Sequence, residues 1–118
     1  MIPYVLNIPE AIPSLNKTLR GHWTQKHRVR QKWQWLVRAA RLEARLFPST
    51  PLQRARIMIE RWGRCRIDYD NFVGGAKQCV DSLISEGFVV DDSPEHILIE
   101  YIQHIGEPFT RITIRQAK

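Results

Sequence analysis

Three observations predict a small α+β domain from this sequence. Periodic segments follow the order β-α-β-α-β-β, alternating in the strand-like stretches and recurring at helical spacing in the other two. Proline and glycine fall at the breaks between segments. The chain has 118 residues, so residues 1–118 form one domain with room for a single core. A mixed sheet with two helices packed on it is the simple arrangement that buries all of these faces.

Ile2, Tyr4, Leu6 and Ile8 alternate with Pro3, Val5 and Asn7 and predict the first strand, ended by Pro9 and Pro13. The stretch Ser14–Lys26 is polar and basic with one glycine, which reads as a loop. Val29, Trp33, Leu36, Val37, Ala40 and Ala44 recur at helical spacing and predict a helix from about His27 to Leu46, stopped before Pro48. Arg30, Arg38, Arg41 and Arg45 lie on its other side, and Trp33 and Trp35 are read as packing rather than base-stacking residues. Ala55, Ile57 and Ile59 predict a strand reaching about Trp62. Phe72, Ala76, Cys79, Val80 and Leu83 predict the second helix, with Gly87 as its C-terminal stop. A short apolar run, Phe88–Val90, follows. Ile97–Ile102 reads as a strand, Gly106–Pro108 as a turn, and Thr110, Ile112 and Ile114 as the last strand.

Composition excludes several classes. There is no run of about 18 apolar residues, so no membrane span is expected, and the N-terminus lacks the pattern of a signal peptide. Cys65 and Cys79 stand 14 apart, which fits reduced cysteines in a cytoplasmic protein better than a disulfide framework. None of the four histidines pairs with a cysteine at zinc-finger spacing. Neither a Walker-type phosphate loop nor a serine-nucleophile motif is present.

The charge is uneven. Residues 1–66 hold 14 Lys/Arg and 3 Asp/Glu, a balance of +11, and residues 67–118 hold 4 and 9, a balance of −5. Folded together, the two halves predict a basic surface around an acidic spot. A basic surface attracts phosphate polyanions, and an acidic spot within it repels them unless a divalent cation sits there. Solvated surface charge is the plainer alternative.

The acids cluster around one helix. Asp68 and Asp70 are two apart, which at the end of an extended segment points both carboxylates to one side. Two close carboxylates resist ionising together, and Mg²⁺, which takes oxygen ligands, relieves that cost. Alternatively Asp70 caps the helix and favours its dipole. Lys77 and Asp81 follow Asp70 by 7 and 11 positions, so all three share a stripe at about 3.6 residues per turn if the helix starts near Asp70. Lys77 and Asp81 also suit a plain i,i+4 surface pair. Gly74 and Gly75 interrupt this stretch. They admit two explanations, a ligand phosphate passing close to the backbone or a loop that delays the helix to about Ala76. Asp91 and Asp92 sit in Asp-Asp-Ser-Pro, which also suits an ordinary acidic turn.

Taken together, Asp68-Tyr69-Asp70-Asn71, Lys77-x-x-x-Asp81-x-Leu83 and Gly87-Phe88-x-x-Asp91-Asp92 resemble the RusA family of Holliday junction resolvases. Pro13-Ser14-Leu15-Asn16 is similar to that family's opening motif. The resemblance implies a small α+β homodimer, of a kind found in phages, prophages and bacteria. Such a protein binds four-way DNA junctions and cuts two strands symmetrically with Mg²⁺ or Mn²⁺. It implies Asp68, Asp70 and Asp92 as metal-binding carboxylates, with Asp91 open against Asp92, and Lys77 as the family's essential lysine. The interval before Lys77 is about one helical turn longer here than in the best-known form and contains Gly74-Gly75. Arg20, Lys26, Arg28 and Arg66 are the candidate phosphate contacts. The rival expectations are a DNA-binding module without catalysis, a nuclease acting on other branched DNA, and a basic RNA-binding domain.

Overall fold

The computed structural model describes residues 2–15 and 23–117. Its elements are β1 (Tyr4–Ile8), α1 (Trp23–Glu43), β2 (Ala55–Gly63), α2 (Tyr69–Gly75), α3 (Lys77–Ser85), β3 (Ile97–Ile105) and β4 (Phe109–Gln116). Helices α2 and α3 are two parts of one helical path, so the expected β-α-β-α-β-β order holds. The four strands form one mixed sheet in the order β1-β4-β2-β3. β4 runs antiparallel to both neighbours, and β2 and β3 are parallel, joined through α2 and α3.

Strand alternation decides which face is covered. In β2, Ala55, Ile57 and Ile59 are buried, and Ile57 lies opposite both Ile114 and Ile99. Leu6 and Ile8 of β1 bring the same parity to the edge. Against this face pack Trp33, Val37 and Ala40 of α1 and Phe72, Cys79 and Leu83 of α2 and α3. Among the described residues no helix packs on the opposite face. Its positions include Arg56, Glu60 and Trp62 on β2, with Arg111 set over the Trp62 ring and Glu60 bonded to His104 at 2.9 Å. Among the described residues no helix is long and apolar enough to cross a membrane.

Several boundaries differ from the sequence reading. α1 begins at Trp23 rather than about His27, so the end of the expected loop, including Lys26, is helical. It closes at Glu43 rather than Leu46. There Arg45 adopts φ 56°, and the Leu46 N–H donates to the Arg41 carbonyl at 3.0 Å, the pattern of a Schellman ending. Ala44, expected in the apolar stripe, is therefore exposed beyond the helix. Gly87 ends α3 in the same way with φ 85°, as expected. Ile2 lies outside β1 and is exposed. β3 runs three residues past the expected Ile102, because pairing with β2 continues to Gly63↔Ile105. The expected apolar run Phe88–Val90 lies beside Leu52, which bridges Val89 in parallel.

Glu86 ties the end of α3 to α1. Its nearly buried carboxylate accepts from Arg41 Nε at 2.8 Å and from Arg38 Nε at 3.1 Å.

Both cysteines are free, Cys65 exposed and Cys79 in the core. Burial pushes the Cys79 thiol up from 9.0 to about 12. The unfolded chain releases this proton above about pH 9, whereas the folded chain holds it to about pH 12. Stability from this group is therefore complete below about pH 9 and is lost as pH rises toward 12, on the order of 1.4 kcal/mol per pH unit within that window. Burial also raises the Tyr101 hydroxyl, which acts in the same direction. Urea unfolding measured from pH 7 to 10.5 is expected to show a falling midpoint above about pH 9. Cys79→Ala should be less stable at pH 7 but show a flatter slope above pH 9. An unchanged slope would mean that the thiol does not drive the alkaline loss.

Candidate functional site

The acidic stretch occupies the turn from β2 into α2 and the path beyond α3. Asp68 is the residue before α2, with φ −61° and ψ 146°, and its side chain makes no capping bond. Asp70 stands in the first turn of α2. The expectation of an extended Asp-x-Asp pair is corrected here, because Asp68 is extended and Asp70 is already helical. The capping position falls to Asp68 rather than Asp70. Both carboxylates are exposed, and neither holds an ion pair or hydrogen bond among the described residues.

Lys77 opens α3 and joins two parts of the sequence. Its Nζ lies 3.6 Å from Asp81 Oδ1 and 3.9 Å from Asp92 Oδ2. The first contact is the expected i,i+4 pair. The second brings the acidic turn after α3 back to the start of that helix, a contact that spacing alone did not determine. The Asp92 N–H donates to Asp91 Oδ1 at 2.8 Å, so Asp91 shapes the turn while Asp92 faces the lysine. All four side chains are exposed, so these pairs are weak in energy, under about 1 kcal/mol each. Asp70 was expected on the same stripe as Lys77. The helix does start near Asp70, at Tyr69, and one turn residue, Ala76, divides α2 from α3 between them; they form no pair among the described residues.

The two glycines have a different role from either explanation given by the sequence. Both lie within α2, so no loop delays the helix to Ala76. The path stays hydrogen-bonded through the break, with the Ala76 N–H on the Phe72 carbonyl at 2.9 Å and the Val80 N–H on the Ala76 carbonyl at 3.1 Å. A Cβ at Gly75 would collide with the backbone carbonyl oxygen of Pro13, and one at Gly74 with the Leu15 side chain. The close neighbour is the chain's own N-terminal segment, not a ligand phosphate. The Pro13-Ser14-Leu15 part of the opening motif is thereby seated on the helix that carries Asp70. Asn16, the motif's last residue, lies outside the described residues.

Two further side chains hold this region, and the sequence reading missed both. Gln103 on β3 accepts from the Ile67 N–H at 3.0 Å and donates to the Ile67 carbonyl at 2.8 Å. It fixes the backbone of the residue directly before Asp68. Arg61, in the buried register of β2, donates from Nε to the Ile12 carbonyl at 2.8 Å and from Nη1 to the Cys65 carbonyl at 3.2 Å. Burial lowers its guanidinium pKa. A buried arginine bonded to carbonyls rather than to an acid acts as a fastener between the opening segment and the β2–α2 turn. In the sequence Gln103 looks like an ordinary strand residue. The signal for Arg61 was its place in the odd-numbered series after Ile57 and Ile59.

The expected phosphate contacts are spread out. Arg28 is exposed on α1, and Lys26 is half-buried on the same helix. Arg66 is exposed two residues before Asp68. Arg20 lies outside the described residues. Of the expected metal ligands, Asp68 and Asp70 share the α2 entrance and Asp92 stands at Lys77. Among the described residues no three acidic, histidine or cysteine side chains form a ready-made ligand group. The donor chemistry nevertheless suits Mg²⁺, which commonly takes one or two carboxylates and completes its shell with water and phosphate. Asp68 and Asp70 supply two hard oxygen donors that are not committed elsewhere. In comparisons with known proteins, no family model and no curated protein matches the chain.

Proposed function

We propose that this protein is a RusA-like, Mg²⁺-dependent endodeoxyribonuclease that cuts four-way DNA junctions as a homodimer. The observation that supports this most is the meeting of separated motif segments around one helical path. Pro13 and Leu15 pack on Gly75 and Gly74, Asp68 and Asp70 open α2, and Lys77 opens α3 in contact with Asp81 and Asp92. These are the segments whose combination resembles the resolvase family.

In this reading Asp68 and Asp70 hold the divalent ion, with Asp92 as the third carboxylate. When bound, such an ion lowers the pKa of a water and stabilises charge on the phosphate in the transition state. Gln103 and Arg61 keep the backbone before Asp68 in place. Lys77 neutralises the excess charge of Asp81 and Asp92, and its ammonium is a cation that can meet charge developing on a phosphate oxygen. Arg28 and Arg66, and Lys26 and Arg20 with them, supply phosphate contacts whose strength falls with salt. A two-fold dimer presents two such sites to a two-fold junction and accounts for paired cuts.

A labelled synthetic four-way junction and a linear duplex of matched sequence test the proposal. Paired symmetrical nicks are expected on the junction alone, with Mg²⁺ and not with EDTA. Cuts on flaps or forks but not on the junction would keep the nuclease and change its substrate. A second reading, a DNA-binding module without catalysis, is favoured by the lack of a three-ligand group among the described residues. Binding without cleavage in any metal would select it.

A further inference from the structure

The sequence reading treats Trp33 and Trp35 alike, as packing residues, and the structure separates them. Trp33 is buried at 3% exposure, whereas Trp35, on the opposite side of α1, is 61% exposed. At about 100° per residue, Thr24, Arg28, Gln31, Trp35, Arg38 and Leu42 fall within roughly 60° of one direction on α1. All six are exposed. An exposed indole on a basic helix offers a face on which a base can stack.

Three features beside the ring indicate what would cover it. First, Trp35 helps line a hollow of about 360 Å³ between α1 and the end of α3, with Gln31, Gln34, Arg38, Ser85 and Glu86. An indole face, two amides and a hydroxyl offer stacking together with hydrogen-bond donors and acceptors, the chemistry that recognises an unpaired base. Second, the helix is strongly basic. α1 carries Lys26, Arg28, Arg30, Lys32, Arg38 and Arg41 against Glu43 alone. Glu86 is shared by Arg38 and Arg41, and Glu10 pairs with Lys32. Lys26, Arg28 and Arg30 have no acidic partner among the described residues. The uncovered sheet face, by contrast, sets Arg56, Arg111 and Arg115 among Glu60 and Glu100, a more even balance. A polyanion therefore suits the surface of α1. Third, a row of exposed α3 residues leads from the hollow to the candidate site. Ser85 lines it, and Ser85, Asp81 and Lys77 are successive exposed positions along α3. From Lys77 to Ser85 is eight residues, or about 12 Å of helix at 1.5 Å per residue.

We propose that Trp35 and the hollow beside it form a stacking site for an unpaired DNA base, a short distance along the strand from the Lys77–Asp92 site. The proposal rests on the nuclease reading for its choice of DNA. Its own content is that a base which leaves its pair at a branch point, where stacking is interrupted, is held on the indole of Trp35. Arg28 and Arg38 share the ring's side of α1 and meet the neighbouring phosphates, Arg38 through the guanidinium nitrogens that its Nε–Glu86 pair leaves over.

The test measures binding without cleavage, by fluorescence anisotropy in EDTA at fixed salt. The probes are a four-way junction, a single-stranded oligonucleotide and a fully paired duplex, with wild type, Trp35→Ala and Trp35→Phe. Trp35→Ala should weaken junction and single-strand binding about tenfold or more and duplex binding less than about threefold. Trp35→Phe should recover most of the loss. The salt dependence should keep its slope, because no phosphate contact is removed. A junction carrying 2-aminopurine at the branch point should change fluorescence with wild type and not with Trp35→Ala. Circular dichroism should show both variants folded, since the ring is exposed. Equal junction affinity for wild type and Trp35→Ala would overturn the proposal, as would an equal loss on duplex. A change of oligomeric state in Trp35→Ala with DNA binding intact would overturn it too, and would assign the ring to a protein contact. If wild type binds and cuts junctions while Trp35→Ala does so equally well, only this inference fails. If wild type binds through Trp35 but never cuts, only the nuclease reading fails.

Discussion

Asp70→Asn is expected to leave junction binding intact and to reduce metal-dependent cleavage about a thousandfold or more. The side chain keeps its size and position in the first turn of α2 and loses only its charge. Asp70 is exposed and bonded to nothing among the described residues, so the fold does not depend on its carboxylate. What changes is the ability to hold a hard cation, because a neutral amide is a poorer donor than a carboxylate. Stabilisation aimed at charge in the transition state is worth several kcal/mol, which sets the scale of the loss. Binding should stay equal or tighten slightly, since removing a negative charge favours a polyanion. The measurement is single-turnover cleavage of a labelled junction over a Mg²⁺ titration, beside anisotropy in EDTA. Cleavage at the wild-type rate would remove Asp70 from the site. A parallel loss of binding and cleavage would mean that Asp70 supports structure or DNA contact instead. Asp81→Asn is the useful control, because Asp81 pairs with Lys77 but is not among the expected ligands.

What could be read from the sequence follows a physical divide. The strands and helices were legible because burial on one face imposes a period, and Ile57 with Ile59, or Trp33 with Val37, record it directly. Ends were less legible. Arg45 closes α1 in a conformation usually given to glycine, so no residue type announced the stop, whereas Gly87 announced its own. Within the site, Lys77 and Asp81 were visible as a local pair. The approach of Asp92 depends on how the chain returns after α3, which no local spacing encodes. Gln103 and Arg61 act on backbone groups far away in sequence, Ile67 and Ile12, and such partners leave no pattern at all. Trp35 was misread for a related reason. Two tryptophans two positions apart on a helix cannot both face the core, and periodicity assigns only Trp33 to it. The glycine pair marks an unusual spot, but neither a ligand phosphate nor a loop accounts for it, and no local pattern names Pro13 and Leu15 as the neighbours.

The contact of Gly75 with the Pro13 carbonyl carries the largest expected stability effect. Gly75→Ala should destabilise the protein by about 3 kcal/mol or more, lowering the melting temperature by about 10 °C. The added methyl would occupy the space of the Pro13 carbonyl oxygen, and Gly75 is buried. A backbone carbonyl cannot swing aside as a side chain can, so either α2 or the opening segment must move. Arg61 holds that segment through the Ile12 carbonyl, one residue before Pro13, which limits its retreat. Gly74→Ala is the informative partner. Its methyl meets Leu15, a side chain with other rotamers, and alanine regains about 1 kcal/mol of helix propensity over glycine. Its net effect should therefore stay within about 1 kcal/mol. Thermal and urea unfolding of the two variants separate packing from ligand approach. A large loss in Gly75→Ala beside a small one in Gly74→Ala is the signature of the Pro13 contact. If instead both variants melt like wild type and lose only DNA binding, the glycines serve a passing phosphate, and the opening segment does not rest on α2.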